Sequence, residues 1–314
     1  MVEPAVSSLS GDVSLFATGT DGLVRSTYYD PQVADPQWSP WFSLPADQVF
    51  DPGTPVTAVS SARGAISLFA TGKDGLVRST YYDPQVANPQ WSPCFSLPAD
   101  QPFGSHTPVA AVSSVPGGVT LFATGTDGSV RSTYCDPRVA NPQWVPWFSL
   151  PADQPFQAGT FVAALSSEPG GISLFATGKD GLVRSTYYDP QVANPQWAPW
   201  FPLPADQSFG AGTLVAAVSS VPGGVSLFAT GTDGLVRSTF YDPRVANPQW
   251  GPWFSLPADQ PFGPRTPVAA VSSVAGGISL FAMGKDGSVR STYYDPRVAS
   301  PQWVPWFSLP AAQP

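Results

Sequence analysis

Histidine, glutamate, cysteine and methionine are nearly missing from this 314-residue chain, which has one His (His106), two Glu (Glu3 and Glu168), two Cys and two Met. Catalysis needs unlike groups of separated pKa gathered at one place, and this inventory offers no His pair, no Cys pair and no unique carboxylate dyad. An enzyme is therefore not expected. Zinc, haem and iron–sulfur centres lack ligands, so no metal and no cofactor are expected either. Cys94 and Cys135 cannot form a disulfide framework. Each stands where other copies of a repeat carry an aromatic residue, as drift or as a pair in contact. Charged residues are also scarce, at 11%, and the formal net charge is −8. Nucleic acid and anionic membrane both demand clustered Lys and Arg, so neither is an expected partner. No apolar run approaches the ~18–20 residues of a membrane span. The chain opens without a basic or long apolar leader. It reads as soluble, cytoplasmic or secreted.

What is abundant is Pro (38), Gly (29) and aromatics (13%), arranged with strict regularity. Asp21, Asp74, Asp127, Asp180, Asp233 and Asp286 each precede a glycine and fall 53 residues apart. The same step relates Arg25, Arg78, Arg131, Arg184, Arg237 and Arg290, and relates Trp38, Trp91, Trp144, Trp197, Trp250 and Trp303. Six near-identical repeats fill the chain, at about 1–55, 56–108, 109–161, 162–214, 215–267 and 268–314. A repeat that cannot bury its apolar face alone must stack on its neighbours, as in solenoids and propellers.

The third repeat shows what each unit encodes. Val109–Ser114 is a short apolar run closed by the turn residues Val115-Pro-Gly-Gly118. Val119–Thr124 and Val130–Tyr134 are rich in β-formers and flank Gly125-Thr-Asp-Gly128, a hairpin signal. A loop through Asp136 and Asn141 leads to a fourth strand within Gln143–Leu150. Proline recurs in that strand (Pro40, Pro93, Pro146, Pro199, Pro252, Pro305), which places it at a sheet edge. No window has helical periodicity. The expectation is an all-β, six-bladed β-propeller forming a single domain over 1–314, with four antiparallel strands per blade. Each blade should use its own four strands, since a shared blade would need the sequence cut inside a unit.

Up-and-down order puts the hairpin and the inter-repeat loop on one face, with Thr20 or Lys73, Asp21, Asp47, Gln48, Asp100 and Gln101. The other face carries Asp30, Gln32 or Arg138, Asn88, and Gln37 beside Trp38. Repeated carboxylate, amide and guanidinium groups beside aromatic rings are the chemistry that holds neutral sugars. Each group also has a structural reading. Asp21 and its copies form turns, and Asp30 and Asn88 precede prolines where Asx turns occur. Arg25 and its copies are either paired with a structural carboxylate or aimed into a groove. Trp38 shares a strand face with Phe42 and Leu44 and reads as core. Trp41 alternates to the other face and reads as a ligand platform.

The candidate binding set is therefore Trp41, Trp147, Trp200, Trp253 and Trp306; Arg25, Arg78, Arg131, Arg184, Arg237 and Arg290; Asp30, Asp83, Asp136, Asp189, Asp242 and Asp295; and Asn88, Asn141, Asn194 and Asn247. Cys94 replaces the platform Trp of the second repeat, so a pocket using that position should be impaired.

The segment Leu-Phe-Ala-Thr-Gly-Thr-Asp-Gly-Leu-Val-Arg-Ser (15–26), followed by Trp38-x-x-Trp41-x-x-Leu44, resembles the blades of bacterial β-propeller lectins. Related blades occur in tachylectin-like and tectonin-like proteins. The resemblance covers the whole chain and implies pockets for fucose or other monosaccharides between adjacent blades. The better-known bacterial members have seven blades, and the six-bladed fungal fucose lectins use an Arg–Glu–Trp set, whereas no Glu is repeated here. The resulting expectation is a multivalent lectin with glycans or glycoconjugates as partners. The competing reading is a ligand-free or protein-interaction scaffold, including a designed or recently amplified array. Nothing in the sequence sets the oligomeric state.

Overall fold

A computed structural model describes the chain except residues 1–4, 10–11, 36, 46–49, 99, 101, 152–155, 205, 258–261, 273, 301 and 310–314. Asp47, Gln48, Gln101 and Glu3 lie outside the described residues. All described regular structure is β apart from turns, and no helix is long and apolar enough to cross a membrane.

Six four-stranded sheets account for it, each built from four consecutive strands of one repeat and each antiparallel throughout. The fold is a six-bladed β-propeller. It divides into two compact units, residues 3–160 and 161–314, with three sheets each.

The third repeat again serves as the pattern, with strands Val109–Val112, Val119–Thr124, Val130–Cys135 and Phe148–Ser149 paired in that order. The two central strands pair over six residues, Val119 opposite Cys135 through Thr124 opposite Val130. Both faces of these strands are packed, because consecutive side chains point to opposite sides of the sheet. Leu121 and Phe122 are wholly buried there, as are Leu174, Leu227 and Phe228 at equivalent places.

The first strand is shorter than its apolar run, ending at Val112 where the turn begins. First strands of neighbouring repeats lie side by side, and the Thr57 hydroxyl donates to the Val109 carbonyl. The fourth strand departs most from expectation. It occupies the sheet edge as its proline requires, but is only two residues long.

Loop connections give each sheet two distinct ends. At one end the hairpin meets the inter-repeat loop, because the Phe103 N–H donates to the Gly75 carbonyl at 2.8 Å and Phe156 to Gly128 at 2.9 Å. Gly75 has φ of 76°, and a Cβ there would overlap the Phe103 carbonyl, so only glycine fits this approach. At the other end, the first turn of one repeat bonds to that of the preceding repeat. Gly64 N–H donates to the Ser8 carbonyl at 3.0 Å, and Gly276 donates to Ser220 at 2.8 Å.

Candidate functional site

At the hairpin end the arginines are already engaged. Asp21 Oδ1 accepts from the Leu23 N–H at 3.2 Å, closing an Asx turn, and the Arg25 guanidinium grips both carboxylate oxygens at 2.9 and 2.5 Å. Arg78–Asp74, Arg184–Asp180 and Arg237–Asp233 repeat this two-pronged pairing. Arg131–Asp127 and Arg290–Asp286 keep one contact each, at 2.9 and 3.2 Å. The guanidinium beside each of Asp74, Asp180 and Asp233 holds its carboxyl down to about 2. Of the two readings of these arginines, pairing with a structural carboxylate is the one observed. The turn reading of Asp21 and its copies is observed with it.

In the third to sixth repeats the second tryptophan, expected as an open platform, is the buried one. Trp147, Trp200, Trp253 and Trp306 are buried, at 4 to 9% exposure. Trp147 packs edge-on to Phe103 with ring centroids 4.8 Å apart, and Trp253 meets Phe209 at the same distance. These rings therefore have no open face, and only Trp41 is half exposed. In contrast, Trp91, Trp144, Trp250 and Trp303 are partly exposed, and Trp38 is 49% exposed.

The cause is local. The chain touches the third strand at an isolated bridge, Tyr29 opposite Trp38, and the Thr27 hydroxyl then donates to the Ser39 carbonyl at 2.6 Å. Regular pairing resumes only at Phe42. The period-two alternation that set Trp38 against Trp41 does not hold across Pro40.

Cavities open where neighbouring sheets meet on the opposite, first-turn end. Their volumes are about 460 Å³ between the first and second sheets, 590 Å³ between the fourth and fifth, and 740 Å³ between the fifth and sixth. Each has the same construction. One wall is the first Trp of the later repeat (Trp91, Trp250, Trp303), held by a tilted contact to its own Tyr82, Tyr241 or Tyr294. That Trp also meets a buried phenylalanine of the earlier repeat edge-on: Phe16–Trp91 at 5.8 Å, Phe175–Trp250 at 5.7 Å and Phe228–Trp303 at 5.6 Å. The facing wall carries Tyr28, Tyr187 or Phe240, each close to half exposed.

Polar groups line the same space. Ser26, Ser185 and Ser238 are 2 to 3% exposed and line the cavities, and their hydroxyls make no hydrogen bond to the described residues. A hydroxyl on a cavity wall with no protein partner can donate to and accept from a polar guest. Asp30, Asp189 and Asp242 lie at the rim, beside Gln90, Gln249 and Gln302 from the facing repeat. Asp30 Oδ1 accepts from the Gln32 N–H at 2.8 Å, and Asp189 treats Gln191 likewise, which leaves each second oxygen free. Asp136, Asp242 and Asp295 also form ion pairs with Arg138, Arg244 and Arg297 at 2.8 Å, which hold their carboxyls down to about 2.

The structure thus brings together only part of the expected set. Asp30, Asp189 and Asp242 reach a cavity, and Asp83, Asp136 and Asp295 hold the equivalent turn. Asn88, Asn141, Asn194 and Asn247 are exposed and do not line these cavities. The arginines Arg25 to Arg290 sit at the hairpin end, a third strand's length from Asp30, roughly 15 Å at ~3.3 Å per residue. Sequence reasoning missed Trp91, Trp250, Trp303, the tyrosines and Ser26. A signal for Ser26 existed, because a serine recurs six times in step with Tyr28 on one face of an otherwise β-branched strand.

No family model matches the chain, and no curated protein matches it. Solved structures do. The lectin BP39L from Burkholderia pseudomallei is 20% identical, with a TM-score of 0.78 over 98% of this chain and 84% of that one. The SapL1 lectin, solved in complex with alpha methyl fucoside, is 16% identical, with a TM-score of 0.66 over 99% and 96%. The Aleuria aurantia lectin, described as a six-bladed beta-propeller with a novel fucose recognition mode, is 15% identical, with a TM-score of 0.58 over 99% and 95%. The likeness read from the repeat thus extends to bacterial and fungal propeller lectins at the level of the fold.

Proposed function

We propose that the chain is a non-enzymatic, multivalent carbohydrate-binding protein, with all six repeats acting as one domain and monosaccharides seated where neighbouring sheets meet. The observation that carries this reading is the recurring cavity, in which a serine hydroxyl with no partner among the described residues lies between aromatic walls under a carboxylate and amide rim. A sugar presents alternating hydroxyl and C–H surfaces. The hydroxyls match Ser185, Asp189 and Gln249, and the C–H face matches the Trp250 and Tyr187 rings. The fold shared with lectins, one of them holding a fucoside, adds support and makes fucose a first sugar to try. Glycans and glycoconjugates, and not nucleic acid, are then the partners.

Each open cavity should bind weakly, at about millimolar to micromolar Kd. Several on one protein raise avidity on a glycan-coated surface by roughly 10²–10⁴ without new contacts. That gain gives selection a reason to keep the repeats alike.

A glycan array combined with haemagglutination tests the reading. Binding to a definite sugar class with agglutination is expected. Silence across the array from a protein with native circular dichroism would favour the ligand-free scaffold instead.

A further inference from the structure

The three cavities are built alike but are not charged alike. Between the fifth and sixth sheets, Asp242 is the rim carboxylate, and Arg244 neutralises it at 2.8 Å. Between the first and second sheets, the Asp12 carboxylate is consumed by its own turn, accepting from the Ser8 and Leu9 N–H groups and the Ser7 and Ser8 hydroxyls. Asp30 alone keeps a free oxygen there.

Between the fourth and fifth sheets two carboxylates are available. Glu168 stands where the other repeats have Leu9, Ala62, Val115, Val221 and Val274. It is exposed at the rim, and its carboxylate has no hydrogen bond or ion pair with the described residues, its carbonyl alone accepting from Ser166 and Gly171. Its Oε1 lies 2.8 Å from where a side chain on Gly223 would begin, so the carboxylate reaches across to the first turn of the fifth repeat. Asp189 offers its second oxygen on the same lining, and position 191 is Gln rather than the Arg found at 244. Among the described residues no Lys or Arg lines this cavity. Beneath the rim, Ser185 is 3% exposed with its hydroxyl unpartnered among the described residues, and the Tyr187 and Trp250 rings form the walls.

We propose that this cavity takes a protonated amino sugar, with its ammonium group on the Glu168 and Asp189 rim and its pyranose ring against Trp250 and Tyr187. The inference rests on the carbohydrate-binding reading above and specifies the ligand class at one of its sites. An ammonium approaching a carboxylate gains electrostatic attraction that strengthens as water is excluded, and a cation also gains from aromatic faces. An N-acetylated or simple neutral sugar gains neither. The cavity with the Asp242–Arg244 pair has no uncompensated charge to offer and serves as the internal comparison.

The test is calorimetric titration of the full chain with glucosamine, N-acetylglucosamine and glucose, repeated on Glu168→Gln at about 50 and 500 mM salt. Glucosamine should bind its strongest site about five- to tenfold more tightly than N-acetylglucosamine. Glu168→Gln should remove most of that preference and leave the neutral sugars unmoved. High salt should reduce the preference in the native chain, since exposed charges are screened. Equal affinities for the amino and neutral sugars, or a preference untouched by Glu168→Gln, would overturn the inference while leaving the carbohydrate-binding reading intact. No binding of any of these sugars or of any array glycan, by a natively folded protein, would overturn both.

Discussion

Cys94 offers the cleanest separation between packing and binding. In the third to sixth repeats the equivalent ring is Trp147, Trp200, Trp253 or Trp306, buried and, in three of them, stacked edge-on to a loop phenylalanine at 4.7 to 4.8 Å, while Trp41 of the first repeat is half exposed. Cys94 instead joins the cluster of Leu44, Phe50 and Val56 with a far smaller side chain. Replacing it by Trp adds roughly 100 Å² of buried apolar surface, or about 2.5 kcal/mol at ~25 cal/mol per Å². The edge-to-face pair with Phe50 adds about 0.5–1.5 kcal/mol. Fitting a large ring into a site relaxed around a thiol costs about 1–2 kcal/mol. The net gain is about 2 kcal/mol.

Urea titration followed by tryptophan fluorescence should show a higher midpoint for Cys94→Trp, and a thermal scan should show an increase of roughly 4–8 °C at ~2–4 °C per kcal/mol. Sugar affinity and stoichiometry should stay as they were, because the ring enters the core and not a cavity. A variant with unmoved stability but stronger or additional sugar binding would refute this account of the second tryptophan. It would return the Trp41-type positions to the role of platform.

Two further outcomes concern the scaffold. Gly75→Ala should destabilise the second repeat by well over the ~1–2 kcal/mol of a left-handed residue alone, since its Cβ meets the Phe103 carbonyl; Gly159→Ala should cost only that ordinary amount, because its surroundings are open. His106 and Arg265 already occupy that loop position at φ of 62° and 60°, and equal losses for the two alanine variants would contradict the assignment. The paired carboxyls of Asp74, Asp180 and Asp233 have folded-state pKa values of about 2, below the ordinary 3.8, so their stabilisation is complete above pH ~4 and lost as pH falls toward 2. These pairs are partly exposed and contribute below about 1 kcal/mol each, so the thermal midpoint should be level from pH 7 to 5 and decline between pH 4 and 2; a level profile down to pH 2 would contradict it.

Most of the fold could be read from spacing alone. An uninterrupted 53-residue step with one Asp-Gly hairpin per step dictates six sheets, and the edge prolines correctly put the fourth strand outermost. The site was less legible, because its key choice depended on which way one strand alternates. Trp38 and Trp41 are three residues apart, and a regular strand would send them to opposite faces. The bridge at Trp38 and the Thr27 hydrogen bond to Ser39 take the chain out of the sheet between them, so in later repeats the second ring, as at Trp253, is the buried one while Trp250 stays partly exposed. A similar limit hid the arginines' role. Asp21 and Arg25 lie across a hairpin, and whether they grip each other depends on side-chain geometry that the spacing permits without requiring. Ser26 looked like an ordinary strand residue. Only the junction of two sheets reveals that its copies Ser185 and Ser238, like Ser26 itself, line a cavity with hydroxyls that no described residue engages.

The central claim is that sugars occupy the spaces between neighbouring sheets at the end away from the Asp-Arg hairpins. A crystal structure of the chain soaked in methyl fucoside, or in the best monosaccharide from an array, tests it directly. The account predicts a sugar ring against Trp250 or Trp303, with a hydroxyl within hydrogen-bond distance of Ser185 or Ser238 Oγ. A sugar bound instead at the Asp180–Arg184 hairpin end, or these cavities left empty at saturating sugar, would contradict it.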